Sequence, residues 1–148
     1  MFTELRALET FNSLPKSHST FLCTESGHEP HIRVGEYAVI DKSDRTPQHG
    51  EVYLIKYPSE SLALKQANLA TGVEIGRKRL PKDPRIWWLD ALRKFHNTGE
   101  KIHGVPVFAG LSDGPYETHY LRRLIVGRIV GIATKSFGRR IGGKAVQS

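Results

Sequence analysis

The sequence predicts a mostly β domain built from tightly coiled antiparallel sheets. Two continuous apolar runs, residues 37–40 and 52–55, are bounded by polar residues that favour turns. Continuous rather than alternating apolar residues over so short a length are typical of strands buried on both faces. A late apolar run, residues 124–133, is interrupted by Gly127 and Gly131. Glycines inside a strand mark bulges or close backbone approaches, which suits a strongly curved sheet.

The first two predicted strands are entered in the same way. Gly35 and Gly50 each precede a glutamate and then the apolar run. Glycine supplies the backbone freedom that a sharp entry into a strand needs. After the second run, Pro58 begins a turn, and residues 61–65 predict a third strand that pairs back as a hairpin.

The two ends of the chain predict different structure. Apolar residues recur at near-helical spacing in residues 1–13, at Phe2, Leu5, Leu8 and Phe11. This stripe predicts a short N-terminal helix, which packs on the body of the domain or on a second subunit. Residues 14–20 are a polar linker. Residues 135–148 are rich in glycine and basic side chains and predict a flexible tail.

The middle of the chain has weaker signals. Residues 73–75 alternate as a short strand, and residues 85–90 form an aromatic and apolar strand. Residues 96–104 are polar and predict a loop.

Composition limits the class of protein. The net charge is +7, and the single cysteine, Cys23, excludes an internal disulfide and fits a reducing compartment. No apolar run approaches the length of a membrane span, and Glu4 and Glu9 do not fit a secretory signal. We therefore expect a soluble cytoplasmic protein with no cofactor and no membrane partner.

The basic charge also supports a nucleic-acid hypothesis. Arg77, Lys78 and Arg79 are consecutive, and Trp87 and Trp88 follow them. Basic side chains contact phosphates, and tryptophans stack on bases. The alternative is that the basic residues form a solvated face and the tryptophans pack in the core or at a dimer interface.

A short histidine motif follows Cys23. His28 and His31 flank Glu29 and Pro30. This spacing is not that of the helical His-Glu-x-x-His zinc motif, and the proline disfavours a helix that presents both imidazoles on one face. We therefore predict no metal site here.

Several motifs together resemble one family. Residues 29–41 contain Glu-Pro, a short apolar turn, Gly-Glu and an apolar strand that ends in Asp41. Residues 49–55 contain His-Gly-Glu and a second strand, and residues 113–116 and 125–132 continue the likeness near the end. This pattern resembles the LexA-like serine–lysine peptidases, which include phage repressor C-terminal domains and UmuD-type proteins.

The resemblance covers residues 20–66 and 107–134, and it implies a LexA/signal-peptidase-like fold of coiled antiparallel sheets. The predicted domain organisation is an N-terminal helix and linker at 1–20, a LexA-like β domain at 21–134 with a divergent insertion at 67–106, and a basic flexible tail at 135–148.

The chain departs from the family at the nucleophile. When Glu29 and Pro30 are aligned with the family pattern, the serine position falls on Gly27, and Ser26 stands one position early. Glycine has no side chain and cannot attack a carbonyl group.

The resemblance also implies a lysine general base on the strand after the hairpin. Lys65 follows Gly27 by 38 residues, which is the usual family separation, and Lys78 in a Lys-Arg-Leu sequence is the alternative. Such a lysine must be neutral to accept the serine proton, so it is buried among apolar groups that lower its pKa.

Three functions remain open. The first is a catalytically silent LexA-like domain that binds a protein partner or itself, as a homodimer, in a regulatory setting of phage or mobile-element type. The second is an active self-cleaving peptidase that uses Ser26 and Lys65, although no Ala-Gly or Cys-Gly pair precedes the site. The third is a basic nucleic-acid-binding module. We favour the silent domain, and hence a protein that is not an enzyme.

Overall fold

The computed structural model describes residues 5–70, 85–92, 96–102, 105–109 and 112–142, and for Ser26, 96–102 and 105–109 it describes the backbone alone. The strands are β1 (Glu9–Thr10), β2 (His18–Leu22), β3 (Tyr37–Asp41), β4 (Val52–Lys56), β5 (Leu62–Leu69), β6 (Ile86–Asp90), β7 (His96–Ile102), β8 (Val105–Ala109), β9 (Ser112–Glu117) and β10 (Ile125–Ala133). Within these residues there is one α-helix, α1 (Thr118–Leu124), and a 3-10 turn at Ser26–His28. The predicted mostly β class is confirmed.

The strands form one large sheet and one hairpin. The large sheet has the order β2-β3-β10-β4-β5-β6-β9, with antiparallel neighbours throughout, and β1 pairs with β10 in parallel. β7 and β8 pair with each other. The last strand, β10, therefore lies between two strands from the first half of the chain and closes the centre of the sheet.

The central strands are buried on both faces. On β4, Val52 and Leu54 belong to one core cluster, whereas Tyr53 and Ile55 belong to a second cluster. Because neighbouring side chains of a strand point to opposite faces, a continuous apolar run serves both clusters. The prediction of strands buried on both faces is confirmed for β3 and β4.

The two glycines of β10 allow close approaches. The pairing register of β10 shifts between Ile125 and Gly127 on the side of β4, and between Ile129 and Gly131 on the side of β3. A Cβ atom on Gly131 would overlap the ring of Phe11. The prediction that these glycines mark bulges and close contacts is confirmed.

The predicted N-terminal helix is not formed in the part of the chain that the structure describes. Residues 5–8 have no regular structure, and Glu9–Thr10 is a strand. Leu5 and Leu8 still pack against the first core cluster, so the apolar stripe contacts the body of the domain as an extended chain. The reason is a tertiary bond: the Phe11 amide donates to the Ile132 carbonyl (2.8 Å), which ties this segment to β10. Residues 1–4 lie outside the described residues.

The C-terminal segment is attached to the sheet where the sequence predicts a flexible tail. The Thr20 amide donates to the Arg139 carbonyl (2.6 Å), and the Ile141 amide donates to the Thr20 carbonyl (2.7 Å). Ile141 also packs against the first core cluster. These bonds satisfy part of the edge of β2 and fix residues 139–141, while residues 143–148 lie outside the described residues.

The segment 67–106 agrees with its prediction at one strand and differs elsewhere. The predicted strand at 85–90 is confirmed as β6, which continues the main sheet, and residues 67–69 complete β5. The predicted loop at 96–104 contains β7, because its backbone pairs with the apolar strand β8. The predicted strand at 73–75 lies outside the described residues.

Candidate functional site

The turn that carries Gly27 is held at both ends by the β2–β3 pair. The Cys23 amide donates to the Glu36 carbonyl (2.8 Å), and the Gly35 amide donates to the Cys23 carbonyl (2.9 Å). Ile32, in the middle of the loop, is fully buried. Residues 24–34 therefore form a closed loop with one apolar anchor, and Gly27 in the 3-10 turn near its start is exposed.

Gly27 itself is not required by the backbone. Its φ angle lies outside the left-handed region, and a Cβ atom added to it would meet nothing within 4 Å. The position therefore accepts a larger side chain without strain. Ser26 lies in the same turn, but its side chain lies outside the described atoms, so its pairing with Lys65 stays a prediction.

Lys65 lies on β5, opposite Tyr53 of β4. Its side chain is 15% exposed, and its Nζ atom lies 3.7 Å from Oδ1 of Asp113. β9 brings the carboxylate to this place, because it pairs with β6, which pairs with β5. Lys65 is therefore half of an ion pair. An ion pair needs the protonated amine, whereas a serine–lysine peptidase needs the neutral amine to accept a proton.

Two tyrosines complete the surroundings of the carboxylate. The hydroxyl groups of Tyr57 and Tyr116 both donate to Oδ2 of Asp113, at 2.7 and 3.0 Å. Burial, and then the hydrogen bond to the carboxylate, raise the pKa of both phenols, that of Tyr116 to about 12. Both phenols therefore stay protonated and act as donors. We call Tyr57, Lys65, Asp113 and Tyr116 the Asp113 cluster.

Most of this cluster carries no functional signal in the sequence. Asp113 and Tyr116 lie in a segment, 113–116, that resembles the LexA-like family, but the sequence attaches no chemistry to them. Tyr57 stands at the end of the second apolar run with no sign of a partner 56 residues away. Only Lys65 was predicted as a site residue.

Two histidines of the loop that carries Gly27 have lowered pKa values. Burial lowers the pKa of His28, the positive charge of Lys65 lowers it further, and Glu25 opposes both effects from 3.9 Å. Burial and the neighbouring His28 likewise lower the pKa of His31. His28, which follows Gly27 directly, therefore feels the charge of Lys65.

Each of these two imidazoles has a ring nitrogen with no hydrogen-bond partner. Nδ1 of His28 and Nε2 of His31 are buried without a hydrogen-bond partner. Among the described residues, no group of three or more histidine, cysteine, aspartate or glutamate side chains is placed to hold a metal ion. The lowered pKa values favour the neutral form of His28 and His31. Protonation of His28 would add a positive charge that Lys65 repels.

Cys23 is a structural residue. Its side chain is buried, and the thiol lies 3.3 Å from the Glu25 carbonyl, to which it donates. Burial raises the pKa of this thiol. Because the thiolate is the reactive form, the environment disfavours nucleophilic chemistry.

The predicted nucleic-acid residues are only partly described. Arg77, Lys78 and Arg79 lie outside the described residues. The alternative role of Lys78 as the general base therefore stays a prediction. Trp87 is 1% exposed, and its Nε1 donates to the buried hydroxyl of Thr118 (2.9 Å). Its ring is part of the second core cluster and is not available to stack on a base. Trp88 is half-buried.

Comparison with protein-family models, with curated proteins and with solved structures found no match. The likeness to LexA-like peptidases therefore rests on the motifs of the sequence. In the described part of the chain, no helix has both the length and the apolar character needed to cross a membrane.

Proposed function

We propose that this chain is a catalytically silent relative of the LexA-like serine–lysine peptidases and that it acts by binding a protein partner or a second copy of itself. The observation that carries the proposal is the turn at Gly27. Gly27 has room for a side chain and carries none. A hydroxyl nucleophile is therefore missing at the position where the family resemblance places it.

The surroundings of Lys65 support the same proposal. In a working serine–lysine pair the amine faces the hydroxyl and accepts its proton. Here the amine of Lys65 faces Asp113, and the carboxylate is further held by two phenols. This carboxylate partner supports a structural role for the lysine.

The first experiment asks whether any serine is activated. The purified chain is treated at alkaline pH with a phosphonofluoridate, which phosphonylates activated serines with loss of fluoride, and the intact mass is measured. We expect no adduct and no self-cleavage for the natural sequence. An adduct mapped to Ser26 and lost in Lys65→Met would refute the proposal.

The converse experiment restores the hydroxyl. Gly27→Ser is compared with Gly27→Ala, which adds the same Cβ atom without the oxygen. Labelling of Gly27→Ser alone would support the assignment of Gly27 to the nucleophile position. We expect the labelling to increase in Gly27→Ser/Asp113→Asn, because the lysine is then freed from its carboxylate.

The binding function is tested by association. Sedimentation velocity over a range of concentrations should show a reversible dimer if the chain binds itself. A monomer at every concentration would exclude self-association, and the partner would then be a different protein. The identity of that protein would decide whether the setting is regulatory and of phage or mobile-element type.

A further inference from the structure

Two basic grooves use none of the residues of the Asp113 cluster. The first has a volume of about 550 Å³ and lies between β2, the end of β3 and the attached C-terminal segment. Four of the side chains that line it are lysine or arginine, namely Lys16, Lys42, Arg139 and Arg140. The others are polar or small apart from Ile141, and none is acidic.

The second groove continues the basic character beyond the turn after β3. It has a volume of about 410 Å³ and is lined by Ser43, Arg45, Thr46, Arg122 and Arg123. Arg122 and Arg123 are exposed in the last turn of α1. Lys42 of the first groove and Ser43 of the second are consecutive, so the two grooves flank one turn.

Some of these side chains are already held in place. Nε of Arg45 donates to the Ile125 carbonyl (3.0 Å), and Nη2 donates to the Arg122 carbonyl (3.3 Å). Nη1 of Arg139 donates to the Pro15 carbonyl (2.9 Å). Carbonyl groups orient the guanidinium without neutralising it, which lowers the entropy that a charged ligand has to overcome.

The lysines and arginines of the grooves have no carboxylate partner in direct contact among the described residues, although Asp41 lies opposite the groove residue His18. Among the residues that the structure describes, no carboxylate forms an ion pair with the lysines and arginines of either groove. The acidic residues of the intervening turn have other partners: Asp41 accepts from Ser43 (2.6 Å), and Asp44 pairs with Arg128 (2.8 Å). Nε of Arg140 is buried with no hydrogen-bond partner.

The composition of the grooves selects the partner. No tryptophan, tyrosine or phenylalanine lines either groove, so stacking on unpaired bases is not provided. Among the described residues, the exposed large apolar side chains are Val34, Leu69 and Tyr120, and none of them lines a groove to anchor it in a bilayer. What remains is a charged surface with hydroxyl groups, which suits phosphates at regular spacing.

We infer that the two grooves form one binding surface for the phosphate backbone of duplex nucleic acid, without readout of base sequence. The contacts are charge-assisted hydrogen bonds from lysine and arginine to phosphate oxygens. This surface differs from the one predicted at Arg77, Lys78, Arg79 and the tryptophans. It also does not depend on the silent-peptidase proposal, because it shares no residue with Gly27 or Lys65.

The test is a salt titration with a labelled 20-base-pair DNA duplex of mixed sequence, followed by fluorescence anisotropy. The groove variant is Lys16→Gln/Lys42→Gln/Arg122→Gln/Arg123→Gln, in which each residue is exposed. We expect its affinity to fall at least about tenfold at low salt, and the slope of log K against log salt to fall by about 2–4, since each lost phosphate contact removes about 0.9.

A matched control separates a specific surface from diffuse charge. Arg33→Gln/Lys56→Gln removes two exposed charges outside the grooves and is compared with Lys16→Gln/Lys42→Gln. Equal losses in the two double variants would overturn the inference, and so would tighter binding to a single strand than to the duplex. Two unrelated duplex sequences should bind equally.

Further outcomes also decide the inference. Absence of binding to duplex at 50 mM salt would overturn it. Binding to vesicles that contain 30% phosphatidylserine, without binding to the duplex, would reassign the surface to lipid head groups and overturn it as well. Unchanged thermal unfolding of the variants shows that any loss of affinity comes from the surface and not from the fold.

Discussion

The Asp113 cluster makes a quantitative prediction about stability. Asp113→Ala removes the acceptor of two tyrosine hydroxyls and the partner of Lys65 in one substitution. A hydrogen bond to a charged group contributes about 1.5–3 kcal/mol, and a group left buried without its partner costs about 1–3 kcal/mol. The Asp113 side chain is 32% exposed, so water replaces part of the lost bonding.

The expected cost follows from these terms. Two bonds, reduced for the access of water, give a loss of about 2–4 kcal/mol in the free energy of unfolding. For a chain of this size this corresponds to a fall of roughly 5–15 °C in melting temperature. Lys65→Met removes only the ion pair, whose atoms lie 3.7 Å apart, and leaves both tyrosine bonds intact. It should cost about 0–1 kcal/mol.

Equilibrium unfolding in urea, followed by circular dichroism, measures both variants. A double-mutant cycle with Tyr57→Phe then isolates one bond. Tyr57→Phe should destabilise the natural chain by about 1 kcal/mol and should cost markedly less in the Asp113→Ala background. If Asp113→Ala lowers the free energy of unfolding no more than Lys65→Met does, the carboxylate does not organise the cluster and does not hold Lys65 in place.

Two further predictions, each with a control substitution, test the site and the fold. Burial lowers the pKa of His28 from its ordinary value of 6.5, so the unfolded chain binds this proton more readily. The contribution of His28 to the free energy of unfolding should thus be constant above pH 6.5, and the protein should lose stability as the pH drops below that value. His28→Gln should flatten the dependence of melting temperature on pH between 7 and 5, whereas the exposed His119→Gln should not, and equal slopes would contradict the assignment. Gly131→Ala would overlap Phe11 and should cost about 1–3 kcal/mol in urea unfolding. Gly27→Ala, which enters open space, should change stability by less than about 0.5 kcal/mol, and similar costs at both glycines would contradict the packing of β10.

The strands that the sequence predicted best are those with the strongest local signal. Residues 37–40 and 52–55 correspond to β3 and β4, because continuous apolar runs require burial on both faces in any arrangement. Residues 124–133 correspond to β10, in which buried and half-buried residues alternate. The glycines of β10 were interpretable for a similar reason, since a glycine inside a strand is costly unless a neighbour needs its space.

The N-terminal segment shows where local pattern fails. Apolar residues at positions 2, 5, 8 and 11 have a helical spacing, yet four such residues do not determine a helix. The segment is extended where it is described, because β10 offers backbone partners at residues 131 and 132. In the same way, polar residues 96–102 form a strand because the apolar strand β8 pairs with them.

By itself, the sequence determined the β class, the double burial of the central strands, and the absence of a side chain at Gly27. The tertiary structure alone decided that Lys65 faces a carboxylate, and that basic residues from four parts of the chain line two grooves. The physical reason is that local composition sets which residues must be buried, whereas the order of strands in the sheet sets which distant side chains meet. Asp113 reaches Lys65 only because β5, β6 and β9 are neighbours.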